Sequence, residues 1–223
     1  MFERQATMIK IRVDECELEV EAGKNLLQAC LQNGIYIPSL CYLDGIDPMA
    51  ASCRMCWVEI EGTHQPVAAC TVAVQAGMVV KTDTPAVRRL QKTALRFLLS
   101  VHDVDCRNCP ANRQCELQRS ARFLKVGLKS KHLPSYLKQP AIVPLFPGLE
   151  YYPNRCILCG KCLAVCREPQ GRPVLTFAQR GFDTVVSYFG PPDSNAQACE
   201  DCQACARICP VAALIFKVPR GDP

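Results

Sequence analysis

The chain has 223 residues, 17 of them cysteine, and its 26 lysines and arginines against 21 acidic residues give a formal charge of +5. Cysteine at this density means either a disulfide framework in an oxidising compartment or extensive metal ligation. The start, Met1-Phe2-Glu3-Arg4-Gln5-Ala6-Thr7, mixes charges and offers neither an apolar signal segment nor a twin-arginine signal, and no run approaches about 18 apolar residues, so the expectation is a cytoplasmic metalloprotein with no transmembrane segment. An odd cysteine count agrees better with metal ligation plus spare thiols than with complete disulfide pairing.

The first elements follow from alternation. Ile9, Ile11 and Val13 interleave with Met8, Lys10 and Arg12, and Cys16, Leu18 and Val20 interleave with Glu17, Glu19 and Glu21. Two such runs joined at Asp14-Glu15 predict a β-hairpin with one buried face. Gly23 ends it. Asn25 is the expected N-cap of a helix that carries Leu26, Leu27, Cys30 and Leu31 on one face and stops at Gly34. A hairpin followed by a helix against the sheet is the opening of a β-grasp ferredoxin-type domain. On this pattern Cys16 and Cys30 are core side chains, small hydrophobes rather than ligands.

The next cysteines are Cys41, Cys53, Cys56 and Cys70, spaced C-x11-C-x2-C-x13-C. The plant-type 2Fe–2S site has C-x4-C-x2-C and a distant fourth cysteine, so the first gap here is longer. The segment from Leu40 to Ser52 would curl around a cluster, and Ala50, Ala51 and Ser52 are small enough for close backbone approach. Backbone N–H groups aimed at the sulfurs would raise a reduction potential. Spacing alone leaves structural zinc open at this site.

Thr84-Pro85 is an N-cap with proline at the first helical position. Val87, Leu90, Ala94, Phe97, Leu98 and Val101 recur at helical spacing, and the helix should end near His102. There follows His102-x3-Cys106-x2-Cys109-x5-Cys115, then a second helical stretch from Cys115 to Val126 that stops at Gly127. Three cysteines and a histidine in so short a span can hold zinc or a 4Fe–4S cluster, and spacing does not choose between them. His64 and His132 have no cysteine nearby and read as solvated side chains. Lys81, Arg88, Arg89, Lys92 and Arg96 read mostly as a solvated helix face. The proline-rich stretch Gly127 to Pro153, with Lys129, Lys131 and Lys138, reads as a surface connector or a docking strip.

Two runs remain: Cys156, Cys159, Cys162, Cys166 and Cys199, Cys202, Cys205, Cys209. Both read C-x2-C-x2-C-x3-C, and Pro210 follows the second. This is the bacterial ferredoxin run, in which the fourth cysteine of each run ligates the other run's cluster. Cys156, Cys159, Cys162 and Cys209 should therefore hold one 4Fe–4S cluster, and Cys199, Cys202, Cys205 and Cys166 another. Zinc sites pair their cysteines across a longer gap, so zinc is disfavoured here. Between the runs, Val174 to Gln179 and Asp183 to Phe189 read as a hairpin.

The four groups in this order resemble the N-terminal iron–sulfur region of the 75-kDa-type subunit of respiratory complex I. The same region opens NADH-linked iron-only hydrogenases and some NAD-dependent formate dehydrogenases, and it makes up nearly all of the small diaphorase subunit of NAD-reducing nickel–iron hydrogenases. The resemblance covers essentially the whole chain. His-x3-Cys-x2-Cys-x5-Cys is its most specific part. It implies a 4Fe–4S cluster on His102, Cys106, Cys109 and Cys115, and a 2Fe–2S cluster on Cys41, Cys53, Cys56 and Cys70. The inventory becomes one 2Fe–2S and three 4Fe–4S clusters. Because this sequence stops at Pro223 where the complex I and formate dehydrogenase chains continue, it is most similar to the diaphorase subunit. Arg167 to Gln197 departs from the family pattern.

Cluster charge changes the electrostatic reading. Three all-cysteine oxidised clusters carry about −2 each and a histidine-ligated one about −1, which takes the loaded protein to about −2 overall. The basic residues then balance the clusters, and no nucleic-acid role is expected. No G-x-G-x-x-G after a strand and no G-x-x-x-x-G-K-[ST] is present, nor a credible nucleophile arrangement. The expectation is an α+β protein of three parts: a β-grasp 2Fe–2S domain (1–82), a small helical His/Cys3 4Fe–4S domain with linker (83–145), and a double 4Fe–4S bacterial ferredoxin-like domain (146–223). The implied partners are an FMN-bearing NAD(H)-binding subunit and nickel–iron hydrogenase subunits. The alternatives are the iron–sulfur subunit of a formate dehydrogenase, electron-bifurcating complex or complex I-like dehydrogenase, and, from another class, a zinc-binding scaffold.

Overall fold

The computed structural model describes residues 7–46, 50–129, 133–167, 174–190 and 196–217. His132 and Lys131 lie outside them. The chain forms two compact units: Met1–Leu95 with Phe123–Val126, and Arg96–Arg122 with Gly127–Pro223.

The first unit contains β1 (Met8–Val13), β2 (Cys16–Glu21), α1 (Leu26–Gln32), β3 (Trp57–Ile60), β4 (Val67–Ala68), β5 (Val79–Lys81) and the start of α2 (Pro85–Ser100). Its sheet has the order β2-β1-β5-β3-β4, with β1 and β5 parallel and the other pairs antiparallel. The β1–β2 hairpin pairs Val13 with Cys16. Asp14 takes a left-handed φ of 52° in the turn, and its carboxylate accepts from Thr82 N (2.8 Å) and Thr82 Oγ1 (2.5 Å), which fixes the turn to the end of β5. The alternating pattern delivers Ile11, Val13, Leu18 and Val20 to one core with Leu26, Leu27, Cys30, Val58 and Val80. Each such aliphatic side chain contributes about 1.5–3 kcal/mol by leaving water.

Two sequence expectations are corrected. Cys16 is exposed although its cross-strand partner Val13 is fully buried, whereas Cys30 is fully buried. On α2 the buried stripe is Val87, Gln91, Leu95 and Leu99, a spacing of four, and Phe97 is 60% exposed. Gln91 in that stripe donates from Nε2 to Trp57 O at 3.1 Å, while its buried Oε1 has no partner among the described residues. The N-caps are as read: Asn25 Oδ1 accepts from Gln28 N (3.2 Å), and Thr84 Oγ1 accepts from Val87 N (3.1 Å). His64 is exposed.

α3 (Glu116–Leu124) follows the middle cysteines. In the second unit β6 (Val143–Phe146) and β7 (Leu149–Tyr151) lead to the first ferredoxin run and α4 (Lys161–Arg167). The hairpin β8 (Leu175–Ala178) and β9 (Val185–Tyr188) comes next, in register from Leu175↔Tyr188 to Ala178↔Val185. The second run starts on α5 (Ala196–Cys202) and α6 (Ala204–Arg207) and ends at Cys209 just beyond α6, and β10 (Leu214–Phe216) closes the three-stranded sheet β10-β7-β6. Pairing of β7 with β10 brings the residues before the first run against those after the second, and Lys217 Nζ holds Glu150 at 2.5 Å across that pair. No helix among the described residues is long and apolar enough to cross a membrane.

Candidate iron–sulfur cluster sites

In the first unit Cys41, Cys53, Cys56 and Cys70 are all buried, none more than 4% exposed. Cys41 Sγ and Cys53 Sγ are 3.4 Å apart, and Cys56 shares a hydrogen bond with Cys70. Within each pair that hydrogen bond is the main electrostatic influence: Cys41 and Cys70 are held below the usual thiol range, and Cys53 and Cys56 are pushed above it, with burial adding to both rises. Four buried thiols so arranged cannot all ionise without a cationic group among them. Ala51 and Arg54 take left-handed φ values of 46° and 50°, a conformation that costs a non-glycine residue about 1–2 kcal/mol.

Sequence reading missed two supports of this site. Asn25, read only as a helix cap, also donates from Nδ2 to Cys70 O at 2.7 Å. Asp44 accepts from Gln28 Nε2 at 2.6 Å and from Tyr42 Oη at 3.3 Å, which pins the loop after Cys41 to α1. The cap residue was legible, but its second bond spans 45 residues and leaves no local signal.

In the second unit Cys106 and Cys109 are half-buried and Cys115 is buried. Burial raises Cys115, and the thiols of Cys109 and Cys106 raise it further. His102 Nδ1 sits 3.0 Å from the carbonyl oxygen of Arg155. A ring nitrogen facing a carbonyl carries the proton, which leaves Nε2 as the lone-pair nitrogen. Burial lowers the His102 pKa, so the ring is held neutral, the form that ligates.

The two ferredoxin runs exchange their last members. One cavity is lined by Cys156, Cys159, Cys162 and Cys209. A second is lined by Cys166, Cys199, Cys202 and Cys205. The remaining walls are mainly apolar, with Ile157, Val211 and Leu214 at the first and Phe146, Leu149 and Leu175 at the second. Burial pushes Cys159 and Cys205 up to about 12, and the neighbouring thiols add to it. The fourth cysteines accept backbone hydrogen bonds, Cys166 from Val174 N (3.4 Å) and Cys209 from Ala213 N (3.1 Å), while Cys156 accepts from Leu158 N (3.4 Å). Among the described residues no three His, Cys, Asp or Glu side chains converge as the ligands of a single metal ion would. The cysteines line spaces instead. Four thiols around an apolar cavity, with amide donors to sulfur, fit an iron–sulfur cluster in donor chemistry and in surroundings.

Comparison with known proteins agrees with this organisation. The family model described as a 2Fe-2S iron-sulfur cluster binding domain matches residues 6–85. The NADH-ubiquinone oxidoreductase-G iron-sulfur binding region matches 91–128, and a 4Fe-4S dicluster domain matches 153–213. An NADH-quinone oxidoreductase subunit of Rhizobium meliloti is 38% identical over 93% of this chain, which spans 24% of that protein. NADP-reducing hydrogenase subunit HndD of Solidesulfovibrio fructosivorans is 32% identical over 94% of this chain, which spans 36% of it. A polypeptide in the crystal structure of NAD+-reducing [NiFe]-hydrogenase in the H2-reduced state superposes with a TM-score of 0.81 at 30% identity, over 96% of this chain and 90% of that one. Fold and sites thus define an α+β iron–sulfur electron-transfer protein with 2Fe–2S and 4Fe–4S domains. The chain belongs to the family of iron–sulfur subunits shared by NAD(P)-linked hydrogenases and NADH-quinone oxidoreductases.

Proposed function

We propose that this chain carries electrons one at a time between an FMN-bearing NAD(H)-binding subunit and the small and large subunits of a nickel–iron hydrogenase, in the cytoplasm. The net reaction of such a complex interconverts hydrogen and NAD(P)+ with NAD(P)H and a proton. Substrate bonds are made and broken on the partners. When bound, the clusters supply one-electron redox centres, and the polypeptide supplies spacing and tuning. Residues 1–82 hold a 2Fe–2S cluster on Cys41, Cys53, Cys56 and Cys70. Residues 83–145 contribute His102, Cys106, Cys109 and Cys115 to a 4Fe–4S cluster. Residues 146–223 hold two more, on Cys156, Cys159, Cys162 and Cys209 and on Cys199, Cys202, Cys205 and Cys166.

The observation that carries this reading is that Cys209 lines an apolar cavity together with Cys156, Cys159 and Cys162, and Cys166 another together with Cys199, Cys202 and Cys205. Similarity over most of both polypeptides to a component of the NAD+-reducing hydrogenase supports the choice of complex. The 38% identity to the Rhizobium NADH-quinone oxidoreductase protein favours a second reading, an iron–sulfur unit of a complex I-like dehydrogenase. Anaerobic purification with iron and sulfide analysis, and EPR before and after dithionite, tests both. About 14 irons per chain, as one 2Fe–2S and three 4Fe–4S signals, are expected. Co-purifying nickel and flavin support the hydrogenase; flavin without nickel supports the dehydrogenase. A colourless protein holding zinc and no sulfide overturns the electron-transfer role.

A further inference from the structure

Arg155 stands directly before Cys156, the first cysteine of a ferredoxin run, yet its polar contacts face the middle ligand segment. Its carbonyl oxygen lies 3.0 Å from His102 Nδ1. Its guanidinium Nη2 donates to Asn108 O at 3.4 Å. That oxygen belongs to the peptide joining Asn108 to Cys109, at the end of the short turn Cys106–Asn108. One residue thus meets the segment twice, by its backbone at His102 and by its side chain between Cys106 and Cys109.

The guanidinium is held in place. Its carbon lies 4.2 Å from the centroid of the Tyr152 ring, a cation–π contact. Arg155 N donates to Tyr152 O at 3.0 Å, closing the turn that brings the side chain back over that ring. The ring is itself fixed: Tyr152 N donates to Ala213 O at 2.8 Å, and Tyr152 Oη donates to Glu150 Oε2 at 2.9 Å. The other oxygen of Glu150 is taken by Lys217. Among the described residues no carboxylate forms an ion pair with Arg155. A positive charge is therefore fixed beside the middle cysteines with no protein anion against it. The position before the second run is Ala198, which carries no charge.

We propose that Arg155 is a positioning residue for the cluster of His102, Cys106, Cys109 and Cys115, and that its guanidinium, propped on Tyr152 and bonded to Asn108 O, holds that cluster's potential above the value it would have without the charge. The inference rests on the cluster-binding reading above. Reduction adds a negative charge to the cluster, and a fixed cation nearby stabilises the reduced form more than the oxidised one. The electron enters the cluster and no proton moves.

The test is an EPR-monitored redox titration of the purified complex carrying Arg155→Met, with iron and sulfide counted in the same samples. Methionine keeps the backbone carbonyl at His102 and an unbranched stem, and removes the charge. Labelling with 15N-histidine marks the histidine-ligated signal by its nitrogen coupling in pulsed EPR. The expected result is unchanged iron and that one signal shifted negative by about a tenfold change in its reduction equilibrium (~59 mV for one electron). Full iron with that signal unmoved, or with only the ferredoxin signals moved, overturns the proposal. Should Arg155→Met lose iron, Arg155→Lys decides, since it keeps the charge without the planar fork. Full iron with the histidine-coupled signal at its wild-type potential then supports the role, and iron still missing, or that signal displaced, overturns it. Wild-type protein lacking iron and sulfide defeats the cluster reading itself, a separate outcome.

Discussion

His102 and Arg155 are 53 positions apart in the chain, yet the imidazole Nδ1 of one lies 3.0 Å from the backbone carbonyl oxygen of the other. Arg155 immediately precedes Cys156. Asp103 N donates to Asn154 O at 2.7 Å beside this bond, and Glu116 N, next to Cys115, donates to Pro210 O, next to Cys209, at 3.3 Å. The neighbours of the middle segment's candidate ligands are thus stitched to the neighbours of candidate ferredoxin ligands by backbone hydrogen bonds. A cofactor site supported this way holds its geometry without contributing a charge.

The anchored ring makes histidine replaceable by thiolate at a predictable cost in potential. His102→Cys should keep its cluster and lower that cluster's potential by roughly 100 mV, since a neutral ligand becomes an anion, scaled down from the two-histidine against all-cysteine difference. His102→Ala should lose the cluster or bind it loosely. Redox titration followed by EPR reads both. An unmoved potential in a fully loaded His102→Cys protein would remove His102 from the ligand set.

The exchanged cysteines predict non-additive losses. Cys156→Ala and Cys209→Ala each should cost one cluster, about four irons, and the double variant should cost no more than either. Cys166→Ala combined with Cys209→Ala should cost two clusters, about eight irons. Iron and sulfide analysis settles the pairing. If Cys199→Ala and Cys209→Ala proved non-additive instead, each run would hold its own cluster.

Gln203 and Gly160 occupy equivalent places, each directly after the second cysteine of its run and directly before a helix. Both have left-handed backbone, Gln203 at φ 48° and Gly160 at φ 77°. Glycine adopts this region freely, whereas a side chain costs about 1–2 kcal/mol. Gln203→Gly should raise the thermal midpoint of the loaded protein by roughly 2–4 °C, and Gly160→Gln should lower it by a similar amount. Calorimetry under anaerobic conditions measures both. A fall in midpoint for Gln203→Gly would mean that its side chain stabilises more than its backbone costs.

Cysteine labelling separates ligands from bystanders. Cys30 is fully buried, and burial pushes its thiol up to about 12, so no thiolate is available at pH 8. Cys16 is exposed. Native, loaded protein treated with N-ethylmaleimide under argon should therefore take one label, on Cys16, as read by peptide mass spectrometry. After unfolding and iron chelation all 17 cysteines should react. A second native label on any of the other cysteines would identify a thiol outside the ligand sets.

Much of this molecule was legible in order along the chain. Thr84 and Asn25 announce helix starts because capping is a three-residue affair, and β1–β2 and β8–β9 announce themselves because alternation is local. Cysteine spacing pointed to the exchange between Cys166 and Cys209 because three thiols two residues apart wrap one site and leave the fourth directed elsewhere. Only the tertiary structure decided which apolar residues are covered. It exposes Cys16 and Phe97, and it buries Gln91 by giving its amide the carbonyl of Trp57. It also supplied the partners that sit beside the candidate ligands: Asn25 on Cys70 and Arg155 on His102. Spacing fixes what a few consecutive residues can surround, whereas a hydrogen bond between residues tens of positions apart depends on where separate strands and loops are brought by a shared core.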